Sequence, residues 1–417
     1  MLDIKFIRDN KKKVIAGLLK RMDKNNFNLD ALIKLDDERK QLITKLDNLK
    51  AARNKCSKSK PDKATIARMK KLGIDIKNQE TKLKKAEEKF NKEMQELPNI
   101  PADDVVAGDK DKNEVVKIFK KPPKFDFKPK DHVELATGLD IIDYKRAVKM
   151  SGANFWIYKG LGAHLEWALL NYFKDFHANN GYIFILPPFL LNEDSAFASG
   201  HLPKFRDDLF WTQDKLCLNA TSEMMLNNYH RDEILNEDEL PLKYFAYSAC
   251  FRREAGSYRK EERGMIRGHQ FNKIEMFQFT HPNKSWEAFN ELVDNAEKLI
   301  AGLGLHYQTS KLAARDCSDA MAKTYDMEVW IPSMKVYKEV SSVSNALDYQ
   351  ARRSGIRYKD KDTGKNEFVH TLNASGLATS RLVPAILEQN QQADGSIKIP
   401  KILQKYLPGN LDVIKKK

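Results

Sequence analysis

Between Leu29 and Leu97 the apolar residues recur in sevens. Leu32, Leu35, Leu42, Leu46 and Leu49 follow alternate three- and four-residue steps, Arg39 falls in one apolar slot, and Cys56 extends the register. A second series, Ile66, Met69, Ile76, Leu83, Phe90 and Leu97, keeps the same beat, with Gly73, Glu80 and Glu87 in the remaining slots. The stretch KSKPDKA, with Pro61, separates the two. Two heptad segments of similar length joined by a proline-containing turn predict an antiparallel helical hairpin with a narrow, imperfect seam. Pattern alone fits a dimerisation coiled coil as well as an arm that grips a phosphate backbone. The imperfect seam, the tight turn and the outward lysines, Lys58, Lys60, Lys63, Lys70, Lys71 and Lys77 among them, favour the arm. Ahead of it, KKKVIAGLLKR predicts one short helix, and Leu97 closes the hairpin just before Pro98, where helices tend to stop.

Beyond the hairpin the periodicity changes. Residues 98–125, with Pro98, Pro101, Pro122, Pro123 and mixed charge, predict a connector with VVKIF as a short strand at best. From residue 126 the composition is that of a globular α+β body. GAHLEWALLNYFKDFHANNG predicts a helix, and GYIFILPPFLL, bounded by Gly181 and the Pro187–Pro188 pair, a buried strand. WEAFNELVDNAEKLIAGLGL predicts an amphipathic helix ending at Gly302 or Gly304, and YDMEVWIP a strand closed by Pro332. TLNASGLATSRLVPAILEQNQ starts with small residues and becomes a helix that Pro384 should kink or delay. Residues 244–251 and 271–279 predict two strands, and alternation puts Phe271, Lys273, Glu275, Phe277 and Phe279 on one face of the second. Arg252, Arg253, Arg259, Lys260, Arg263 and Arg267 crowd the turn between them, broken by Gly256, Gly264 and Gly268.

That turn carries the most specific chemistry. Guanidinium groups present a planar fork that matches phosphate oxygens two at a time, so the loop suits a triphosphate. Phe271 offers its face to a flat base, and Glu275 sets a carboxylate on the same side. A solvated surface loop is the plainer reading of any basic hairpin; the interleaved glycines and isolated acids weigh against it. In Thr221-Ser222-Glu223 an extended backbone would aim a hydroxyl and a carboxylate the same way, a seat for an ammonium group, although such triplets more often cap helices. Glu339, Ser341 and Ser342 supply oxygen ligands of the hard kind that magnesium prefers. Glu339 and Ser342 stand three apart, so they share one side of a strand only across a bulge.

Composition adds a partner class. The 417 residues carry a formal charge of +14, which favours a polyanion such as nucleic acid, although a general lysine bias accounts for charge equally well. The length suits two or three folded units. Cys56, Cys217, Cys250 and Cys317 are scattered with no metal-binding spacing, as expected of reduced thiols in a cytoplasmic protein. MLDIKFIRDN lacks the apolar core of a signal peptide, and no apolar run approaches the ~20 residues that span a bilayer, so a soluble protein away from membranes is expected.

FRREAGS followed by RGHQFNKIE resembles motif 2 of the class II aminoacyl-tRNA synthetases, and within them of the seryl-tRNA synthetases. The resemblance takes in GYIFILPP as motif 1, the TSE triplet, and GLATSR with its Arg381 as motif 3. It implies an antiparallel catalytic sheet flanked by helices over residues 126–417, a tRNA-binding domain over 1–97 with its coiled-coil arm at about 29–97, a linker over 98–125, and a homodimer. It implies activation of L-serine with ATP and Mg2+ to seryl-adenylate, then transfer to the 3′ end of tRNA(Ser), with tRNA(Sec) a further candidate substrate. By the same resemblance Arg252 meets the α-phosphate and the substrate carboxylate, Arg381 takes the γ-phosphate side, Phe271 stacks adenine and Glu254 accepts from its amino group. Arg253, Gly268, His269, Gln270, Val340 and Ser341 complete the ATP site, and Glu339 and Ser342 hold magnesium. Thr221, Ser222 and Glu223 take the serine amine, and Glu275 and Ser375 read its hydroxyl. One stretch departs from the family: ARDCSDAMAK keeps Asp316 but has Arg315, Ser318 and Ala320 where glycines are common, so side chains there are expected to crowd the site. A catalytically altered paralogue with a binding or regulatory role is the alternative.

Overall fold

The computed structural model describes residues 1–56, 62–255 and 264–416. Lys58, Lys60 and Pro61 of the arm, and Gly256, Arg259, Lys260 and Arg263 of the basic loop, lie outside the described residues. The chain divides into two compact units, Met1–Ile100 and Pro101–Lys417.

The first unit holds α1 (Ile4–Asp9), α2 (Lys11–Leu19) and two long helices, α3 (Leu29–Cys56) and α4 (Lys63–Glu96). Asp62 caps α4, its side chain accepting from the Thr65 amide, which satisfies one orphan donor of the first turn. Leu32, Leu46, Ile76, Phe90 and Leu97 are buried as the heptads predict. The other slots of α4 differ from expectation. Gln79, Ala86 and Met94 are buried, whereas Glu80 stands at the surface and pairs with Lys50 at 3.0 Å. A seven-residue beat can be divided as three then four or four then three, and the apolar residues of α4 are too sparse to decide. Gln79 tolerates its slot because its amide donates to the Leu42 carbonyl at 3.1 Å. Ile66 is 55% exposed, so the seam closes short of it.

Asp36 ties this unit together. Its carboxylate is fully buried and receives Arg8 at 2.8 Å, Arg39 at 2.7 Å and Lys40 at 2.8 Å. Burial alone would raise its pKa, but bonds from Lys40, Arg8 and Arg39 outweigh that and hold it below the usual carboxylate range. Removing one partner of such a cluster leaves uncompensated charge, so Asp36→Ala should destabilise the unit by about 3 kcal/mol, read as an earlier urea transition of the full chain. A carboxylate whose folded pKa is depressed stabilises above its unfolded pKa and loses that contribution as pH falls through the folded one. Wild type and variant should therefore converge only in acid, below the ordinary carboxylate range.

The second unit is built on an eight-stranded sheet. In chain order its strands are β1 (Glu114–Phe119), β2 (Ile183–Ile185), β3 (Leu242–Phe251), β4 (Gln270–Thr280), β5 (Tyr307–Lys311), β6 (Lys323–Ile331), β7 (Val336–Leu347) and β8 (His370–Ala378). They lie in the order β1-β5-β6-β7-β8-β4-β3-β2, antiparallel except for β2 with β3. The α+β antiparallel architecture is thus the one expected. Helices α5 (Leu161–Asn179), α6 (Glu223–Asn228), α7 (Ser285–Gly302) and α8 (Thr379–Gln389) pack around it. One apolar core joins Leu165, Leu169 and Phe173 of α5, Leu292 and Leu299 of α7 and Leu382 and Ile386 of α8 to the sheet residues Ile274, Met327 and Leu372.

One expectation is met and two need correction. Within 98–125 VVKIF does form a short strand: β1 is the edge of the sheet against β5, and the Ala102 amide donates to the Ala322 carbonyl. The apolar run GYIFILPP is not a buried strand. β2 is the opposite edge, paired on one side only, and Ile183, Phe184 and Leu186 are exposed, the last by 69%. Apolar runs do not distinguish an edge from a centre. Helix α8 starts at Thr379, ahead of Pro384, so its start is not delayed to the proline; Pro384 forgoes one bond, to the Ser380 carbonyl.

Candidate active site

The strand alternation of β4 sets the floor of a deep polar hollow. Phe271, Lys273 and Glu275 point into it, while Phe277 and Phe279, on the same face, run on into an apolar cluster with Leu226 and Leu235. The hollow has a volume of about 600 Å³. Arg252 stands where β3 ends. Its guanidinium lies 5.2 Å from the Phe271 ring centroid, and its Nε donates to the Ala220 carbonyl at 3.3 Å. Glu254 accepts from Arg267 Nε at 2.7 Å and pairs with its Nη2 at 2.6 Å. Gly268 must be glycine: a Cβ there would lie 2.1 Å from the Trp156 ring.

A second group is acidic and buried. Lys273 Nζ donates to Thr221 Oγ1 at 2.6 Å and pairs with Glu275 Oε2 at 2.5 Å. Asn373 Nδ2 donates to Glu275 Oε1 at 3.0 Å and Glu223 Oε2 at 3.3 Å, and Gln350 Nε2 to Glu223 Oε1 at 2.7 Å. Ser375 Oγ reaches Glu275 Oε2 at 3.4 Å. Burial and then the neighbouring Glu275 charge push the Glu223 carboxyl up to about 7. His201 also lines the hollow; burial, then Arg252 and Lys273, pull it down to about 3, so its ring is neutral.

The third group stands on β6, β7 and α8. Pairing of β7 with β6 shifts register between Ser341↔Met327 and Glu339↔Glu328, leaving Val340 as an inserted residue. This is the bulge that the spacing of Glu339 and Ser342 requires, and both side chains line the hollow. Arg381 Nη1 donates to the Glu339 carbonyl at 2.9 Å, and its Nε to the Ile266 carbonyl at 3.2 Å. Asp326 sits opposite Ser342 on β6. It is buried, and its Oδ1 has no hydrogen-bond partner. Burial and the charge of Glu339 raise its carboxyl well above the usual range.

Most residues expected at the site therefore meet: Arg252, Glu254, Gly268, Phe271, Thr221, Glu223, Glu275, Glu339, Val340, Ser342, Ser375 and Arg381 all line it. Five do not. Ser222 is buried with its hydroxyl on Ser248 at 2.7 Å, because Glu223 opens α6 and the triplet is not extended. Ser341 faces away, its Oγ donating to the Ser375 carbonyl at 2.5 Å. The His269 ring packs between Phe155 and Phe210, with Nδ1 at the Arg252 carbonyl. Arg253 donates its amide to the Asp208 carbonyl, and Gln270 is exposed; neither lines the hollow. Of the departing stretch, Ser318 and Ala320 line the hollow and Arg315 does not, while Asp316 turns to Asn113 at 2.8 Å. Lys273, Asn373 and Asp326 were missed as site residues. The period of two signals the first, between Phe271 and Glu275, and the second, two before Ser375; Asp326 has no local signal.

Two family models match the chain: the class II tRNA synthetase core domain (G, H, P, S and T) over residues 205–390, and the seryl-tRNA synthetase N-terminal domain over residues 1–101. Serine–tRNA ligase 2 of Clostridium acetobutylicum is 54% identical across 98% of this chain and 99% of its own. Serine–tRNA ligase of Thermodesulfovibrio yellowstonii is 45% identical across the whole of both. The crystal structure of seryl-tRNA synthetase from Pyrococcus horikoshii complexed with ATP superposes with a TM-score of 0.91 at 32% identity, covering 100% of each chain. The cytoplasmic serine–tRNA ligase of Naegleria fowleri in complex with AMP gives 0.87 at 31% identity, covering 100% of this chain and 99% of that one.

Proposed function

The chain belongs to the seryl-tRNA synthetase family, and from that premise we propose how its hollow divides the work of joining serine to tRNA at the expense of ATP. One observation carries the division: buried carboxylates and fixed cations share a single cavity. Serine is a zwitterion with a hydroxyl, and each part finds a complement. Glu223 pairs with the ammonium. Glu275, oriented by Asn373 and Ser375, and Thr221 read the hydroxyl. Lys273 and Arg252 meet the serine carboxylate and the α-phosphate. Adenine lies against Phe271, and Arg381 closes the nucleotide from α8.

The chemistry is substitution at phosphorus. A serine carboxylate oxygen attacks the α-phosphorus and pyrophosphate leaves; in the second step a hydroxyl of the terminal tRNA ribose attacks the seryl carbonyl and AMP leaves. Negative charge grows on the phosphoryl oxygens, and cations already held in place stabilise it without reorganising. Alanine is rejected because Glu275 and Thr221 would be left without their hydroxyl partner in a buried site. Magnesium fits the oxygens of Asp326, Glu339 and Ser342: the buried Asp326 Oδ1 lacks a partner, and these are hard donors. When bound, the ion would neutralise phosphate charge there. No trio of His, Cys, Asp or Glu able to hold a metal forms among the described residues, so phosphates and water would complete its shell.

The arm is the tRNA grip, through its lysine-rich faces. The exposed apolar face of β2 and α5, with Ile183, Phe184, Leu186 and Trp167, fits a second copy of the chain, since an uncovered apolar edge invites pairing. No helix among the described residues is long and apolar enough to cross a membrane, and the cytoplasm, where translation runs, is the setting these substrates imply. Neither tRNA(Sec) as a substrate nor a non-catalytic role draws support from any observation, and the intact set Arg252, Glu254, Glu339 and Arg381 weighs against the latter.

Serine-dependent ATP–pyrophosphate exchange tests the reading, with threonine and alanine expected to give little. The pH profile gives it a sign. Below pH 7 Glu223 takes up a proton and can no longer pair with an ammonium, so KM for serine should rise up to about ten-fold per pH unit as pH falls from about 7 toward 6. KM for ATP should change far less; a flat serine KM over that range would remove Glu223 from the amine site.

A further inference from the structure

The nucleotide end of the hollow is walled by residues from two elements, Phe271 on β4 and Arg381 on α8. The ladder between β4 and β8 does not hold them together. It shifts register after Ser375↔Glu275 and ends at Ala378↔Lys273, so Asn272 and Thr379, next along each chain, are unpaired by it. The Thr379 hydroxyl lies 3.1 Å from the Asn272 carbonyl, and a third element adds a shorter clamp on both side chains. Glu166 of α5 is buried, and its Oε1 accepts from Asn272 Nδ2 at 2.8 Å and from Thr379 Oγ1 at 2.6 Å. Asn272 follows Phe271 directly, and Thr379 opens the turn of α8 that carries Arg381. The other side of the Asn272 amide is committed too: its Oδ1 accepts from the Tyr247 hydroxyl at 3.0 Å.

The arrangement is costly for a merely structural contact. The Tyr158 hydroxyl also faces the Glu166 carboxylate, and burying a carboxylate is unfavourable unless its bonds are used. Burial raises its pKa above the usual range. An apolar residue would fill the same space more cheaply, but would leave the Asn272 amide without its acceptor and the Thr379 hydroxyl with only the longer contact to the Asn272 carbonyl.

We propose that Glu166 is a positioning residue for nucleotide binding, fixing the separation of Phe271 and Arg381 by holding Asn272 and Thr379 on one oxygen. The proposal rests on ATP lying against those two residues, and it assigns a role to a helix that touches neither substrate. Its test is exchange kinetics on the full chain with ATP and serine varied separately. Glu166→Ala should raise KM for ATP about ten-fold and leave KM for serine within about two-fold. Glu166→Gln, which keeps an acceptor oxygen at the Oε1 position, should recover most of that loss. Thr379→Val removes the hydroxyl that Glu166 and the Asn272 carbonyl share; it should raise KM for ATP about three-fold alone and by less than that on top of Glu166→Ala, because the shorter of its two bonds is already gone. Thermal unfolding monitors the fold, and if Glu166→Ala does not fold, Thr379→Val and Glu166→Gln decide. KM values for ATP and serine rising together, or a Thr379→Val enzyme with unchanged KM for ATP, would overturn the proposal. A wild-type chain without serine-dependent exchange would instead overturn the reading of the site itself.

Discussion

Replacing Arg252 with alanine is expected to lower serine-dependent ATP–pyrophosphate exchange about 10³-fold. The geometry sets the size of the effect. Arg252 is fixed at two points, by the Ala220 carbonyl at Nε and by the Phe271 ring beneath its guanidinium. Its terminal nitrogens carry no hydrogen-bond partner among the described residues, so they are available to a phosphate. A donor held in advance where charge develops acts on the transition state more than on the bound substrate, so kcat should fall more than KM rises. Arg252→Lys should recover little, since a point charge on a flexible stem cannot present two parallel donors. Thermal unfolding should be nearly unchanged, because the residue packs against one ring and one carbonyl only. A loss below about ten-fold with normal folding would mean that the other cations of the cavity, Lys273 and Arg381, stabilise the phosphate without it.

Much of this site was visible in the residues themselves, for a local reason. The period of two on β4 places Phe271 and Glu275 together whatever the rest of the chain does, and Lys273 falls between them by the same rule. The need for a bulge near Glu339 also follows from spacing alone, and the inserted Val340 meets it. What escaped is set by register between distant strands. Asp326 reaches the site because β6 pairs it with Ser342, and Asn373 reaches Glu223 across 150 residues of chain. The same limit applies to the fold. GYIFILPP has the composition of a central strand and sits at an edge; the second set of seam positions in α4 turned on one residue of register; and VVKIF, short and flanked by prolines, became part of the sheet only through β5. Ser222 and Ser341 were expected in the cavity because neighbours of site residues share their motif, but a helix start and a bulge turn each of them inward.

The other large effect separates adenylate formation from tRNA charging. The arm can be shortened without disturbing its base. Joining Leu42 to Leu83 through a short glycine–serine turn removes residues 43–82 and leaves Leu32, Asp36, Arg39, Phe90 and Met94, the buried contacts that anchor it. The removed segment carries twelve Lys or Arg against four Asp or Glu, more than half of the net charge of +14. If the arm holds tRNA by its phosphates, kcat/KM for charging should fall about 10³-fold while exchange stays within about two-fold, since each neutralised phosphate contributes through counterion release. Salt should show the same division. Charging by the intact chain should weaken steeply between about 50 and 200 mM salt, and the shortened chain should show a much shallower dependence. Bulk tRNA, labelled serine and both assays on each protein suffice. A dimerisation role for the arm makes a different forecast: the shortened chain would change its sedimentation behaviour, with exchange and charging falling together. Equal loss of both activities would therefore return the lysine-rich helices to self-association, and an unchanged charging rate would leave recognition of tRNA to the catalytic unit alone.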